Sequence, residues 1–149
     1  MPEAITVEVD RAEFNKLIRA LDGIPPGMAR GALRAGVTKV AAAIRKDARS
    51  RAPRVTGFSR KQIKSKPIKF RKNKRLRVGR HVGYTTAAYN PKGHSRQIDA
   101  RFLEFGYGGR AAVPHLRPAM FANEKNGNRI LAQAILNYLQ RRVNKGRKP

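Results

Sequence analysis

Apolar residues recur at helical spacing in three stretches of the chain, and the first stretch is residues 10–22. Asp10 and Glu13 match a capping box at its start, and Gly23 followed by two prolines ends it. Residues 5–9 alternate β-branched and polar side chains, as a short half-buried strand does. The chain is therefore predicted to open with a strand and a helix. The apolar stripe of that helix consists of Phe14, Leu17, Ile18 and Leu21.

The other two helical stretches are longer. Residues 28–51 place apolar side chains at alternating spacings of three and four, and Pro53 ends this helix. Its many alanines let another backbone approach closely, while its arginines and lysines stay in water. Residues 117–143 form the last predicted helix, with Pro118 in its first turn. Gly127 weakens its middle and predicts a kink or a break.

A β-hairpin is predicted between the two long helices. Residues 51–62 are punctuated by proline and glycine and are predicted to form a loop. Residues 63–71 and 76–84 then alternate apolar residues with basic or small ones, and Lys-Asn-Lys separates the two runs. Pro67 predicts that the first strand lies at a sheet edge or begins late, because proline cannot donate to a ladder. The hairpin has a cationic tip.

The fold class that these elements indicate is α+β, as a single domain. A length of 149 residues allows one modest core. The domain combines an N-terminal helix, a long alanine-rich helix, a small antiparallel sheet with a basic hairpin, and a C-terminal helix. Residues 98–105 suit either a short helix or a twisted strand. The predicted parts are a strand or arm at 1–9, two helices at 10–52, the basic hairpin at 60–84, an exposed loop at 85–97, a short element with the C-terminal helix at 98–143, and a frayed tail at 144–149.

The charge of the chain is one-sided, with 34 Lys and Arg against 9 Asp and Glu and a net charge of +25. Such an excess is typical of proteins that bind nucleic acid or acidic protein surfaces. The predicted hairpin holds no acidic residue. Its candidate partners are therefore double-stranded DNA or acidic neighbouring proteins. The third interpretation is that the basic stretch is merely solvated. The candidate contact residues are Lys64, Lys66, Lys69, Arg71, Lys72, Lys74, Arg75 and Arg77.

Catalytic and metal-binding chemistry finds little support in the sequence. The chain has no cysteine, which excludes disulfides, zinc ribbons and thiol catalysis. Its histidines lack metal-ligand spacing, and no cofactor is expected. Arg80, His81 and Tyr84 fit a small basic ribonuclease, but β alternation explains them equally well and an acid–base pair is missing. Glu104 is expected to pair with an arginine, within or between subunits, rather than to catalyse.

Three segments, taken in order, resemble one family of structural proteins of tailed bacteriophages. Residues 32–57, ALRAGVTKVAAAIRKDARSRAPRVTG, resemble an alanine-rich helix that ends in Ala-Pro and Thr-Gly. Residues 100–109, ARFLEFGYGG, resemble a Phe-x-Glu-Phe-Gly element, and residues 114–120, PHLRPAM, resemble the start of the last helix. The family comprises neck or tail-completion proteins of long-tailed phages, including relatives of the lambda minor tail protein Z. The chain departs from it in FSRKQI after Gly57, where Leu and a Ser-Ile pair are usual, and in His115, where Phe is common.

This resemblance implies a structural virion protein, not an enzyme. It implies a homo-oligomeric ring of six-fold symmetry between the head connector and the tail tube. The implied partners are a head-closure or connector protein, a tail terminator or tail tube protein, and double-stranded genome DNA in the channel. The expected location is the virion, with the host cytoplasm during assembly. Candidate interface or structural residues are Phe102, Glu104, Phe105 and Arg117.

A non-specific nucleic-acid-binding protein of ribosomal or histone-like type is the alternative function. Such proteins usually expose aromatic side chains for base stacking, and here aromatic residues are few and fall mostly on apolar faces. The first residues do not resemble an export signal, and no apolar run approaches the length of a membrane span. A soluble, unexported protein without a membrane partner is therefore expected.

Overall fold

The structure is a computed structural model that describes residues 19, 23–53, 58–70, 77–84, 103–106, 108, 109 and 111–146. In these ranges, long helices accompany a two-stranded antiparallel sheet, which confirms the predicted α+β class. None of the described helices combines the length and the hydrophobicity that a membrane span needs. The elements are α1 (Pro26–Arg51), α2 (Phe58–Gln62), β1 (Ile63–Pro67), β2 (Arg80–Tyr84) and α3 (Leu116–Gly146).

The main packing contact joins α1 to α3, which run antiparallel. Gly36 of α1 lies against Leu131 and Ile135 of α3, so closely that a methyl group on Gly36 would stand 2.8 Å from a Leu131 methyl carbon. Ala29 and Ala32 are buried in the same cluster. Small residues on α1 thus let the two helices approach, as the alanine-rich sequence predicts.

Prolines set both ends of α1. Pro26 stands in the first turn, where a missing N–H is tolerated, and the Pro25 carbonyl accepts hydrogen bonds from Met28 and Ala29 at 2.9 and 3.0 Å. At the other end the Ala52 N–H donates to the Ala48 carbonyl just before the proline that stops the helix.

A second apolar cluster joins the sheet to the end of α1. Ala48 of α1 and Ala52, just after its end, are buried with Ile63 of β1 and Ala119 of α3. Two arginines secure this junction: the Arg49 Nε donates to the Ile63 carbonyl at 3.0 Å, and the Arg60 Nε donates to the Arg49 carbonyl at 2.7 Å. A cation bonded to a carbonyl of the last helical turn also interacts favourably with the helix dipole.

The predicted hairpin is present. β1 and β2 are antiparallel, with Ile63 opposite Tyr84 and Pro67 opposite Arg80. A further bond from the Ile68 N–H to the Gly79 carbonyl continues the ladder towards the tip. Proline is the last residue of β1, where it is exposed, and the tip residues 71–76 lie outside the described part of the chain.

Two helices, α2 and α3, differ from the prediction. The predicted loop 51–62 contains the helix α2, because five residues are too few to show a helical period. α3 begins at Leu116, passes through Gly127 without a break, and continues to Gly146, into the predicted frayed tail. Gly127 faces Val40 of α1, and a Cβ added to Gly127 would lie 3.8 Å from a Val40 methyl carbon. Glycine in a helix costs about 1 kcal/mol relative to alanine, and packing of α3 against α1 offsets this cost.

Other predicted elements lie mostly or wholly outside the described residues. The strand at 5–9, the exposed loop at 85–97 and the end of the tail at 147–149 belong to this group. Of the predicted helix 10–22, only Arg19 is described, and it is helical and exposed. Within 98–105 the described residues 103–105 form one helical turn.

Candidate functional site

Glu104, which is buried, is the centre of a cluster at the start of α3 that we call the capped junction: Tyr84, Leu103, Glu104, His115 and Arg117. The Glu104 carboxylate accepts backbone N–H bonds from His115 and Leu116 on one oxygen, at 3.0 and 3.1 Å, and from Arg117 on the other, at 3.0 Å. These N–H groups have no partner inside the helix. Glu104 therefore caps α3 from outside the helix, eleven to thirteen residues earlier in the chain.

Arg117 holds the same carboxylate from the solvent side. Its Nε lies 3.6 Å from the Glu104 carboxylate, and its guanidinium donates to the Glu104 carbonyl at 3.4 Å. The guanidinium carbon also lies 4.6 Å from the centre of the Phe105 ring, a cation–π distance. Phe105 is nevertheless 66% exposed, and Phe102 lies outside the described residues. The structure thus brings together three of the four predicted interface or structural residues.

His115 connects the junction to the sheet. Its Nδ1 lies 3.0 Å from the Val113 carbonyl oxygen, which only accepts, so Nδ1 carries the hydrogen. Its Nε2 is hydrogen-bonded to the Tyr84 hydroxyl, which donates when the ring is neutral, and the two rings meet edge to face at 5.7 Å. β2 is thereby tied to the start of α3.

The electrostatics of the junction follow from burial and from these hydrogen bonds. Burial alone would raise the pKa of Glu104, but the backbone N–H groups of Arg117, His115 and Leu116, together with the His115 ring, hold the pKa of that carboxyl below its ordinary value. Burial raises the pKa of Tyr84 to about 12, and the charge of Glu104 acts in the same direction. The stable form of the junction is an ionised carboxylate beside a neutral phenol.

The capped junction is arranged for packing rather than for chemistry. Glu104 and His115 are 4% and 0% exposed, so a dissolved substrate does not reach them. The structure does not support the ribonuclease hypothesis either, because the side chains of Arg80, His81 and Tyr84 do not meet at one site. Arg80 turns inward and donates to the Ser65 hydroxyl at 2.9 Å, and Tyr84 turns inward to His115, while His81 is exposed on the other side of the strand. In the described ranges, no cluster of three or more acidic or histidine side chains is placed to hold a metal ion.

A second candidate surface is the outward side of the hairpin, which we call the basic face: Lys64, Lys66, Ile68, Phe70 and His81. Ile63 is buried against α1, so strand alternation turns Lys64 and Lys66 away from the core. Lys66 stands directly opposite His81, and glycine stands opposite Lys64. Ile68 and Phe70 extend the face and are 46% and 44% exposed. The basic face thus combines cations with exposed apolar groups.

The predicted contact cations of the hairpin fall into two groups. Arg71, Lys72, Lys74 and Arg75 lie outside the described residues. Lys64, Lys66, Lys69 and Arg77 are all exposed, and their side chains have no hydrogen bond or ion pair with another described residue. By contrast, Arg49, Arg60 and Arg80 are used inside the fold. The exposed cations of the hairpin are therefore available to a partner.

Sequence reasoning missed the contacts that give the capped junction its geometry. The sequence shows Glu104 as a lone acidic residue in a basic region. It does not indicate a helix cap there, because the capping residue normally stands immediately before the helix. His115 and Tyr84 are 31 positions apart, and no local pattern links them. The signal that did exist was an acid between aromatic residues, shortly before a helix that lacks a capping residue of its own.

Comparison with known proteins gives one match. A family model described as "Bacteriophage HK97-gp10, putative tail-component" matches residues 15–106, which is more than half of the chain. The chain belongs to this HK97-gp10-like family. No curated protein matches it significantly, and no solved structure does.

Membership in the HK97-gp10-like family confirms the predicted phage family and a location in the virion as a tail component. The matched residues include α1, the hairpin and Glu104, whereas α3 lies beyond them. The relation to the lambda minor tail protein Z stays a prediction. A structural tail component acts through surfaces, so exposed groups matter more here than buried titratable ones.

Proposed function

We propose that this chain is a ring subunit of the neck or tail-completion region, which joins the head connector to the tail tube. The proposed ring is six-fold, and its proposed neighbours are a head-closure or connector protein on one side and a tail terminator or tail tube protein on the other. Membership in a family of phage tail components supports a structural role in this part of the particle.

We further propose that the exposed cations of the hairpin, those of the basic face together with Lys69 and Arg77, contact genome DNA or acidic surfaces of neighbouring ring proteins. The observation that carries this proposal is the set of exposed hairpin cations without a described internal partner. Ring symmetry repeats every such cation once per subunit, and a channel lined in this way attracts DNA without reading its sequence. Acidic neighbours would use the same cations to set register and orientation.

The test replaces the exposed, described cations of the hairpin by neutral residues and keeps the contacts that stabilise the fold. A variant with Lys64→Gln, Lys66→Gln, Lys69→Gln and Arg77→Gln is expected to keep the wild-type circular dichroism and to form rings, but to yield few complete particles. Its matched control replaces four exposed cations elsewhere, Arg30, Lys46, Lys125 and Lys145, by Gln. The control is expected to assemble normally. Equal yields of infectious, DNA-retaining particles from both variants would contradict the proposed role of the basic face.

Salt dependence separates the two partners. If the cations contact phosphates, the slope of log affinity for DNA against log salt should flatten by about 0.9 for each contact removed. If they contact protein, binding to the ring neighbours weakens while the DNA slope stays the same. Monodisperse wild-type monomers that coat DNA would instead favour a non-specific nucleic-acid-binding protein.

A further inference from the structure

A groove between α1 and α3 is lined by cations and apolar side chains, and none of its lining residues belongs to the hairpin. Its volume is about 710 Å³, and we call it the basic groove. Ala35 and Lys39 of α1 form one wall, and positions between Arg129 and Arg141 of α3 form the other. Because a helix rises about 1.5 Å per residue, the α3 wall is about 18 Å long, which is enough for about three turns of a further helix.

The floor of the basic groove is apolar. Ile130, Ala134 and Tyr138 recur every four positions on one side of α3, and all three are only partly exposed. Arg142 holds the Tyr138 ring in place, because its guanidinium carbon lies 5.5 Å from the ring centre and its Nε lies 3.3 Å from the hydroxyl oxygen. The small side chains of Ala35 and Ala134 leave room between the two helices for apolar side chains of a partner.

The rim of the basic groove is cationic and has no acidic residue to neutralise it. Lys39, Arg129 and Arg141 are exposed, and none of the lining residues is acidic. None of these three cations has an ion pair with a residue in the described ranges. A partner that presents carboxylates therefore has a charge complementary to both walls of the groove.

The floor and the rim together indicate the class of partner. A groove between two helices accepts the apolar face of a third helix, and a cationic rim favours carboxylates on the flanks of that face. Duplex DNA offers phosphates but nothing apolar for Ile130 and Tyr138. The chain supplies no such helix itself, because α1 and α3 are basic and the predicted helix 10–22 carries four basic residues against three acidic ones.

We propose that the basic groove docks an acidic, amphipathic helix of another protein. The apolar stripe of that helix lies on Ile130, Ala134 and Tyr138, and its carboxylates face the rim cations. The contact does not depend on the proposed ring, because both walls of the groove belong to one subunit. It gives the chain a protein-binding site in addition to the exposed cations of the hairpin.

Protection of an introduced thiol tests this contact, because the chain has no cysteine of its own. The probe is a helical peptide of about 20 residues that repeats Leu-Glu-Ala-Leu-Glu-Glu-Ala, so that its leucines share one face. In the purified Ala134→Cys protein, a concentration of probe about ten times its dissociation constant is expected to slow alkylation of the thiol about tenfold. The matched site is Ala122→Cys, which is exposed on α3 outside the groove and should stay equally reactive.

Two control peptides separate the apolar stripe from the charge. A peptide of the same composition with leucines scattered around the helix keeps the charge and loses the stripe. A peptide with glutamine in place of every glutamate keeps the stripe and loses the charge. Both are expected to protect Ala134→Cys much less than the probe does. Equal protection by either control peptide, or equal protection of Ala122→Cys by the probe, would overturn the inference.

Neutralisation of the rim provides a second measurement, which needs no introduced thiol. Lys39→Gln, Arg129→Gln and Arg141→Gln together are expected to weaken binding of the labelled probe about tenfold, as measured by fluorescence anisotropy. Circular dichroism of this variant is expected to match that of the wild type, because the three side chains make no described contact that stabilises the fold.

The matched control removes three exposed cations of the hairpin instead, with Lys64→Gln, Lys69→Gln and Arg77→Gln. It should change the affinity for the probe by less than about twofold. An equal loss in both variants would reduce the effect to net charge, and a larger loss in the hairpin variant would place the probe on the hairpin. Either result overturns the inference.

Two further outcomes would also refute the contact. Protection of the Ala134→Cys thiol by duplex DNA, as strong as that by the probe, would make the groove a nucleic-acid site. Failure of the wild-type protein to bind the probe would show that the groove docks no acidic helix. Neither result touches the proposed ring, because electron microscopy of assembly mixtures measures ring formation separately.

Discussion

At the scale of single residues, Glu104 joins parts of the chain that are distant in sequence. Its carboxylate receives three N–H bonds at the start of α3, where the helix dipole favours a negative charge. One of these N–H groups belongs to His115, and the ring of His115 is hydrogen-bonded to Tyr84 on β2. One acidic side chain thus helps to fix the angle between the sheet and the last helix.

Replacement of Glu104 by alanine is expected to destabilise the protein by about 2 kcal/mol, because buried N–H donors lose their acceptor. Chemical denaturation of wild type and variant measures this difference directly. Glu124→Ala is the matched control, since Glu124 is a partly exposed acid within α3. A Glu104→Ala variant as stable as that control would show that the cap contributes nothing.

Stability should also depend on pH through Glu104. Its folded pKa lies below the ordinary value of about 4.3, so above that value both states carry the charge and the stabilisation is complete. As the pH falls further, the unfolded chain takes up the proton first, and the stabilisation is lost through the folded pKa. The gap in unfolding free energy between wild type and Glu104→Gln should therefore be constant well above about pH 4.3 and shrink as the pH falls below it. A gap that stays constant below about pH 4.3 would contradict the pKa shift.

At the scale of elements, the seam between α1 and α3 depends on small residues at particular positions. An added Cβ on Gly36 meets a Leu131 methyl carbon at 2.8 Å and the Leu131 carbonyl oxygen at 3.2 Å. Gly27, in the first turn of the same helix, has nothing within 4 Å of an added Cβ. The same substitution is thus expected to act in opposite directions at the two sites.

Gly36→Ala is expected to destabilise the fold by about 1 kcal/mol, because overpacking outweighs the gain in helix propensity. Gly27→Ala is expected to stabilise it by up to about 1 kcal/mol, since only the propensity gain remains. Thermal unfolding of both variants measures the change in stability, which should be negative for Gly36→Ala and positive for Gly27→Ala. Stabilisation by Gly36→Ala would mean that the helices do not pack as closely as described.

The elements that the sequence predicted well are those with a long period and clear stops. α1 has seven turns and a proline at each end, and the hairpin alternates on both strands, so the local pattern is sufficient. α2 was missed because its five residues show no period. The uninterrupted α3 was missed because packing of Gly127 against Val40 is a tertiary contact, invisible in helix propensity. The same limit applies to the site: Glu104 was noticed as an unusual acid, but its partners come from folding.

At the scale of the whole molecule, the described arginines and lysines form two groups: those that stabilise the fold and those that are exposed to solvent. Arg49, Arg60 and Arg80 bind carbonyls and hydroxyls inside the fold, and Arg117 holds the capped junction. Lys64, Lys66, Lys69 and Arg77 of the hairpin face outward without a hydrogen bond or ion pair to another described residue. Other exposed cations, such as Arg30, Lys46 and Lys125, lie along the helices. The net charge of +25 thus includes cations that stabilise the fold and exposed cations that a phage tail component can present to its neighbours.

The most direct test of this account is a cryo-electron microscopy reconstruction of the assembled particle with this subunit in place. The account predicts that Lys64 and Lys66 lie within about 4 Å of DNA phosphates or of carboxylates on an adjacent protein. Density that places the hairpin in bulk solvent, remote from both genome and protein, would contradict it.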